Sequence, residues 1–259
     1  MSEKTVLLEK QGPVALVTLN RPAALNCFNE EMWQEMELVL SELEQDLSVR
    51  AVVLKAAGDK FSAGIDLSLL GKLDSDFIWR NLPRMQQLNN RWENLLQPVI
   101  AAVQGICFGA GTELVLACDI RLASTRAVFG MQEVQFGLSP DMGGSQRLTR
   151  VVGASQAKRL ILTCDTIDAR EALRIGLVDL VYEPEELLPA AMAMAEKIAA
   201  RPPLAVRFAK KAINIAQDSS LYAGLLFEQA QSIHCLGTED KNEAVAAFFA
   251  KRAPDFKGR

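Results

Sequence analysis

Histidine is almost absent from this chain. His234 is the only one in 259 residues, so a histidine-based triad or a histidine-rich metal centre has next to nothing to draw on. Cysteine occurs at positions 27, 107, 118, 164 and 235 but never as a C-x-x-C pair. The odd count and wide spacing predict reduced thiols, with Cys107 and Cys118 as small core residues and no metal site. An excess of positive charge is missing too: Lys and Arg number 28 against 32 Asp and Glu, a net charge of −4. The pI is near 5.3, so no general basic field is available to nucleic acid. Lys210-Lys211 and Lys251-Arg252 are the pairs that could still meet a small anion. The longest apolar run, Leu187 to Ala195, is far short of a membrane span and carries a proline. Met-Ser-Glu-Lys at the start is charged where a signal peptide needs apolar residues, and Lys257-Gly258-Arg259 matches no lipidation tail. Together these absences predict a soluble cytoplasmic protein with no nucleic-acid or membrane partner.

What is present is an ordinary globular composition, 49% hydrophobic and 23% charged, long enough for one large core or a core with an appendage. Val14 to Leu19 reads as a β-rich run, with Val6 to Leu8 as its hairpin partner. From Asn29, a good N-cap, apolar residues recur at helical spacing through Met32, Met36, Val39, Leu40 and Leu43. Ala51 to Lys55 reads as a strand. A helix through Met85, Leu88, Trp92 and Leu95 then stops at Pro98. Val99 to Val103 is apolar without alternation, as a strand buried on both faces would be. Gly105 to Gly111 reads as the turn after it and Thr112 to Cys118 as a helix, with further strands at Ile120–Ala123 and Val128–Phe129. The alternation indicates an α/β core. Beyond Leu187 only helical patterns remain, near 204–217, 221–235 and 239–252 after Arg201-Pro202-Pro203. This divides the chain into a core over residues 1–196 and a helical region over 197–259.

With histidine all but missing, acid–base chemistry falls to carboxylates. Gly109-Ala110-Gly111 leads into Glu113, and Glu133 and Asp141 follow. The Gly105–Gly111 segment lacks the Gly-Lys-Ser/Thr ending of a phosphate loop and has Leu114 where a dinucleotide fingerprint needs glycine. What remains is a small-residue turn opening a helix, whose unpaired amides can stabilise an oxyanion. It can equally serve close helix–sheet packing. Phe61-Ser-Ala-Gly-Ile-Asp-Leu67 is a second such turn. Each carboxylate has a plainer alternative: Glu113 neutralising a helix N-terminus, Glu133 a solvated strand residue, Asp141 a turn former. A serine nucleophile is disfavoured, because Arg147 stands where a Gly-x-Ser-x-Gly elbow at Ser145 needs its last glycine.

In order along the chain, these segments resemble the crotonase (enoyl-CoA hydratase/isomerase) superfamily. The resemblance rests on Asn20-Arg-Pro-Ala-Ala-Leu-Asn26, Phe61-Ser-Ala-Gly-Ile-Asp66, Pro98-Val-Ile-Ala-Ala-Val-Gln-Gly105 and Gly109-Ala-Gly-Thr-Glu-Leu114. Ala117-Cys-Asp-Ile-Arg121, Gly143-Gly-Ser-Gln-Arg-Leu148 and Phe249-Ala-Lys-Arg-Ala-Pro-Asp-Phe256 complete it. It implies a spiral of ββα turns with C-terminal helices used in trimerisation, as a homotrimer or dimer of trimers. It also implies an acyl-CoA thioester substrate and no separate cofactor. The oxyanion hole would be the N–H groups of Ile65 and Ala110. Ala24, Leu25, Ala63, Asp66, Leu67 and Gly109 would line the coenzyme A path, although Ala23 stands where many relatives carry lysine.

Glu113 and Glu133 match the two glutamates with which the hydratases add water, Glu133 delivering the proton to the α-carbon. Asp141 departs from the glycine usual in hydratases and matches the aspartate of dienoyl-CoA isomerases, which pair it with the counterpart of Glu133. Those isomerases usually carry Asp at the position of Glu113, so hydration is the first reading and dienoyl isomerisation the second. Some relatives instead bind RNA or act as scaffolds; both glutamates and the acidic pI point away from that. Ile78, Trp79, Trp92, Phe136 and the C-terminal helices are expected to close the acyl pocket.

Overall fold

The computed structural model describes residues 4–71 and 74–259. β1 (Val6–Gln11) and β2 (Val14–Leu19) form an antiparallel hairpin. Asn29 then caps α1 (Glu30–Gln45) by accepting the Met32 N–H at 2.9 Å, and Met32, Met36, Leu40 and Leu43 bury one stripe of that helix. Next come β3 (Ala51–Ala56), α2 (Leu67–Leu70), α3 (Ser75–Asn94), β4 (Val99–Val103), β5 (Ile106–Phe108) and α4 (Ala110–Leu116). They are followed by β6 (Ile120–Ser124), β7 (Val128–Gly130), α5 (Gly144–Thr163, kinked at Gly153), β8 (Ile167–Asp168), α6 (Ala169–Arg174) and β9 (Leu180–Tyr182). The chain ends in α7 (Pro184–Ala199), α8 (Pro203–Ile215), α9 (Leu221–Leu236) and α10 (Glu239–Ala250).

Six strands make one sheet in the order β1-β2-β3-β4-β6-β9, parallel from β2 onward, and β5-β7-β8 make a second. Period-two alternation sorts the large sheet's side chains into two cores. Ala15, Val17, Val52, Leu54, Val99, Ala101 and Val103 face α1, α3 and α4. Val14, Leu16, Ala51, Val53, Ile100, Ala102 and Leu122 face Leu187, Ala191, Ala195 and Ala199 of α7. Burial on both faces is why these strands are continuously apolar.

Chain segments alternate between the sheets before each helix: β4, β5, α4, then β6, β7, α5. The preceding turn follows the same plan, since Ser62 after β3 bridges Cys107 of β5. This winding carries the turns 62–66 and 108–110 to one end of the parallel strands. β5 replaces part of the turn expected over 105–111, and α4 starts two residues earlier than expected. Three residues are too few to show a period.

The boundary expected near residue 197 falls in the last turn of α7, which covers the large sheet. α8 is tied to the segments just before β4 and β6 by Lys210, whose Nζ donates to Asp119 Oδ2 at 2.6 Å and to Gln97 O at 3.1 Å. Among the described residues no helix is long and apolar enough to cross a membrane.

Candidate active site

A cleft of about 880 Å³ opens where the two glycine-bearing turns meet. Gly64 and Gly109 bring them together, with φ of +99° and +49°. A Cβ on Gly64 would stand 3.2 Å from Phe108 O, and one on Gly109 would stand 3.2 Å from Glu133 Oε1. Only glycine tolerates both the backbone and the approach. Buried Asn26 braces the first turn: its Nδ2 donates to Ala57 O and Lys60 O, and its backbone carbonyl accepts from Ser62 Oγ at 2.9 Å. Ser62 Oγ in turn accepts the Gly64 N–H at 3.2 Å. Among the described residues neither the Ile65 nor the Ala110 N–H donates to a protein acceptor. Both residues line the cleft, so two amides are free at its wall.

Glu113 sits in α4, every residue of which is buried, and is itself 2% exposed. Its Oε1 accepts the N–H groups of Met142 (3.0 Å) and Gly144 (2.8 Å). Gly144 is the first residue of α5, so the carboxyl meets the positive end of α5 as well as that of α4. Burial still dominates, and with the negative charge of Glu133 it pushes the Glu113 pKa up to about 8. The amide bonds oppose this shift without cancelling it. Because Oε1 already accepts two amides, the proton of the neutral form resides on Oε2.

Glu133 opens the short 3-10 turn Glu133–Phe136, which Gly137 ends in the left-handed conformation. Among the described residues neither of its shielded carboxylate oxygens has a hydrogen-bond partner, and burial raises its pKa. A shielded carboxyl left unpaired is costly, which marks this group as kept for something that enters the cleft. Asp141 lies in the loop before α5, whose carbonyls are held to α3. Gln86 Nε2 donates to Asp141 O at 2.6 Å and Asn89 Nδ2 to Met142 O at 3.0 Å. Burial raises the Asp141 pKa as well, and its charge raises that of Glu133. Three carboxyls thus share one cleft: the charges of Glu133 and Asp141 disfavour ionisation of Glu113, and that of Asp141 disfavours ionisation of Glu133.

The profile of the family described as Enoyl-CoA hydratase/isomerase matches residues 9–259. The chain belongs to the enoyl-CoA hydratase/isomerase family. It is 44% identical to a short-chain-enoyl-CoA hydratase of Clostridium acetobutylicum over the full length of both chains. A crotonyl-CoA hydratase of Syntrophomonas wolfei is 37% identical over 99% of each. The crystal structure of an enoyl-CoA hydratase from Bacillus anthracis superposes with a TM-score of 0.95 at 36% identity, covering 98% of this chain and all of that one. The crotonase-type α/β spiral expected from the sequence is therefore the fold.

Of the residues singled out in the sequence, Glu113, Glu133, Asp141, Ile65, Ala110, Leu25, Ala63 and Gly109 line the cleft. Ala24 and Asp66 do not. Ala24 ends the 3-10 turn Pro22–Ala24. Asp66 Oδ1 accepts from Ser68 and its Oδ2 from Arg21 at 3.1 Å, so its carboxylate fastens the 62–66 turn to the loop after β2. The side chain of Leu67 lies outside what is described. Among the expected pocket closers, Ile78 and Phe136 line the cleft, whereas Trp79 is 84% exposed and Trp92 is fully buried in the core. Residues 78 and 85 stand two helical turns apart on the cleft face of α3, while position 79 turns about 100° away. Met85, Cys27 and Gln132 also line the cleft; Met85 reads as a packing residue of its helix, and nothing in residue type or spacing marks the other two as site residues.

Proposed function

We propose that this protein is an enoyl-CoA hydratase, adding water across the α,β double bond of a short acyl-CoA thioester. Two facing carboxyls, one fixed by amides and one unpaired, beside two free N–H groups carry this reading. The named hydratases to which the chain is similar end to end support it. The Ile65 and Ala110 amides receive the thioester oxygen as negative charge develops; a single donor of this kind contributes about 10²–10³ in kcat.

The carboxyls share one proton, since burial and mutual repulsion oppose two charges. In the empty cleft the proton rests on Glu113. A water bridging the pair passes it to Glu133, leaving a Glu113 carboxylate steadied by the Met142 and Gly144 amides. Water then attacks the β-carbon while Glu113 takes its proton, and the thioester enolate forms in the oxyanion hole. Glu133 gives its proton to the α-carbon. The pair ends with the proton back on Glu113, ready for another cycle. Carboxyls and amides account for every step without a cofactor beyond the coenzyme A of the substrate.

Asp141 favours a second reaction in the same cleft, dienoyl-CoA isomerisation, because its carboxyl faces the cavity that holds unpaired Glu133. The free cysteines fit a reducing compartment, and we place the enzyme in the cytoplasm as a homotrimer or dimer of trimers. Loss of the conjugated enoyl-thioester absorbance on incubation with short enoyl-CoAs tests the first reading. Unchanged absorbance over a series of chain lengths, with binding demonstrated, would reject it.

A further inference from the structure

A second cleft, of about 480 Å³, lies at the opposite end of the parallel strands. It shares no lining residue with the first. Its wall includes Pro13 and Arg50, which directly precede β2 and β3, whereas the oxyanion turns follow the other ends of the strands. The six residues of β3 put about 20 Å between the two.

Arg50, Arg207 and Lys257 line this cleft, and its lining carries no carboxylate. Among the described residues the two arginines bond only backbone carbonyls. Arg50 donates to Ala199 O (3.3 Å) and Phe256 O (2.7 Å), and Arg207 makes one long contact with Leu47 O (3.4 Å). Burial and the charge of Arg50 pull Arg207 below the ordinary guanidinium range, and no carboxylate offsets them. Lys257 is paired with Asp255 at 2.6 Å, outside the lining. Pro203, the first residue of α8, completes the wall, and that helix start has no side-chain cap. Two half-buried like charges beside an uncapped helix N-terminus repel each other and leave several N–H donors without acceptors. An oxyanion would remove both costs, and planar guanidiniums match its geometry.

We propose that this cleft binds a small phosphate-bearing ligand between the Arg50 and Arg207 guanidiniums at the N-terminal end of α8. Arg50 stands directly before β3 and Arg207 lies in α8, so the ligand clamps the start of a sheet strand to the C-terminal helices and stabilises the folded chain by mass action.

The test is thermal unfolding of the whole protein titrated with inorganic phosphate or glucose 6-phosphate, with chloride holding ionic strength constant and sulfate as a further control. Phosphate also stabilises proteins non-specifically, so the discriminating variant is Arg207→Gln, which removes only one long contact. The wild type should show a rise in Tm that follows the logarithm of ligand concentration above Kd and reaches about 5 °C at roughly hundredfold excess over Kd. Arg207→Gln should lose that rise while keeping the KM for enoyl-CoA. A logarithmic rise with phosphate alone identifies a free-ion site, and a rise that sets in at lower glucose 6-phosphate identifies a phosphate-monoester site. A linear rise, the same rise in Arg207→Gln, or an equal effect of chloride would overturn the proposal. So would loss of oligomerisation in Arg207→Gln, which would make the cleft a contact with another copy.

Discussion

Glu113 carries the account at the scale of single residues. Folding raises its pKa from the ordinary 4.5 to about 8, so between those values the folded protein holds a proton that the unfolded chain has released. Stability from this group is complete below about pH 4.5 and is lost as the pH rises through about 8. Glu113→Gln should therefore flatten the fall in Tm between pH 5 and 9 (roughly the span of that shift), and an unchanged profile would contradict the burial argument. The raised pKa of Glu133 works in the same direction, so the flattening is partial. Turnover needs one proton on the pair, so kcat/KM should follow a bell whose alkaline limb lies near the Glu113 value of about 8. Asp141→Gly should spare hydration and abolish any dienoyl-CoA isomerisation. If hydration disappears in a folded Asp141→Gly protein, Asp141 belongs to the hydration machinery and the division of roles is wrong.

At the scale of elements, the start of α5 positions the chemistry. A Cβ on Gly144 would come within 2.5 Å of Met131 Cε and 2.7 Å of Glu113 Oε1, so Gly144→Ala must push the Glu113 carboxyl aside. It should lower kcat by about 10²-fold in a protein that still folds; a wild-type kcat would show that α5 does not hold the carboxyl. Gly143-Gly144-Ser145 was visible in the sequence as one segment of the family resemblance and as an incomplete nucleophile elbow, neither of which gave its contact. Its real contact reaches back 31 positions to Glu113, and no local pattern encodes a contact of that kind. Elements with a strong pattern were legible: the helical period of the α1 stripe and the unbroken apolar run of β4. β5 was not, being three residues long. On α3, Trp79 and Trp92 were expected at the pocket by residue type, yet helical phase sends one to solvent and the other into the core. The glycine turns and the two glutamates were legible because their order along the chain matches a family, not because their spacing alone requires proximity.

For the whole molecule, the C-terminal helices leave apolar side chains uncovered: Leu221 (79% exposed), Tyr222 (74%), Phe248 (78%) and Phe249 (79%). Patches of this sort mark association surfaces, in keeping with the proposed trimer. Phe249→Asp should shift the mass found by light scattering from three or six chains toward one, and an unchanged mass would exclude this face from the contact. The central claim is the addition of water by the Glu113–Glu133 pair. Mass spectrometry of a short enoyl-CoA incubated with the protein tests it most directly, with Glu133→Gln alongside. The wild type should add one water to the thioester. Glu133→Gln should bind the same thioester and lose about 10²–10⁴-fold in rate. An unchanged substrate mass with the wild type, or full activity in Glu133→Gln, would contradict the assignment.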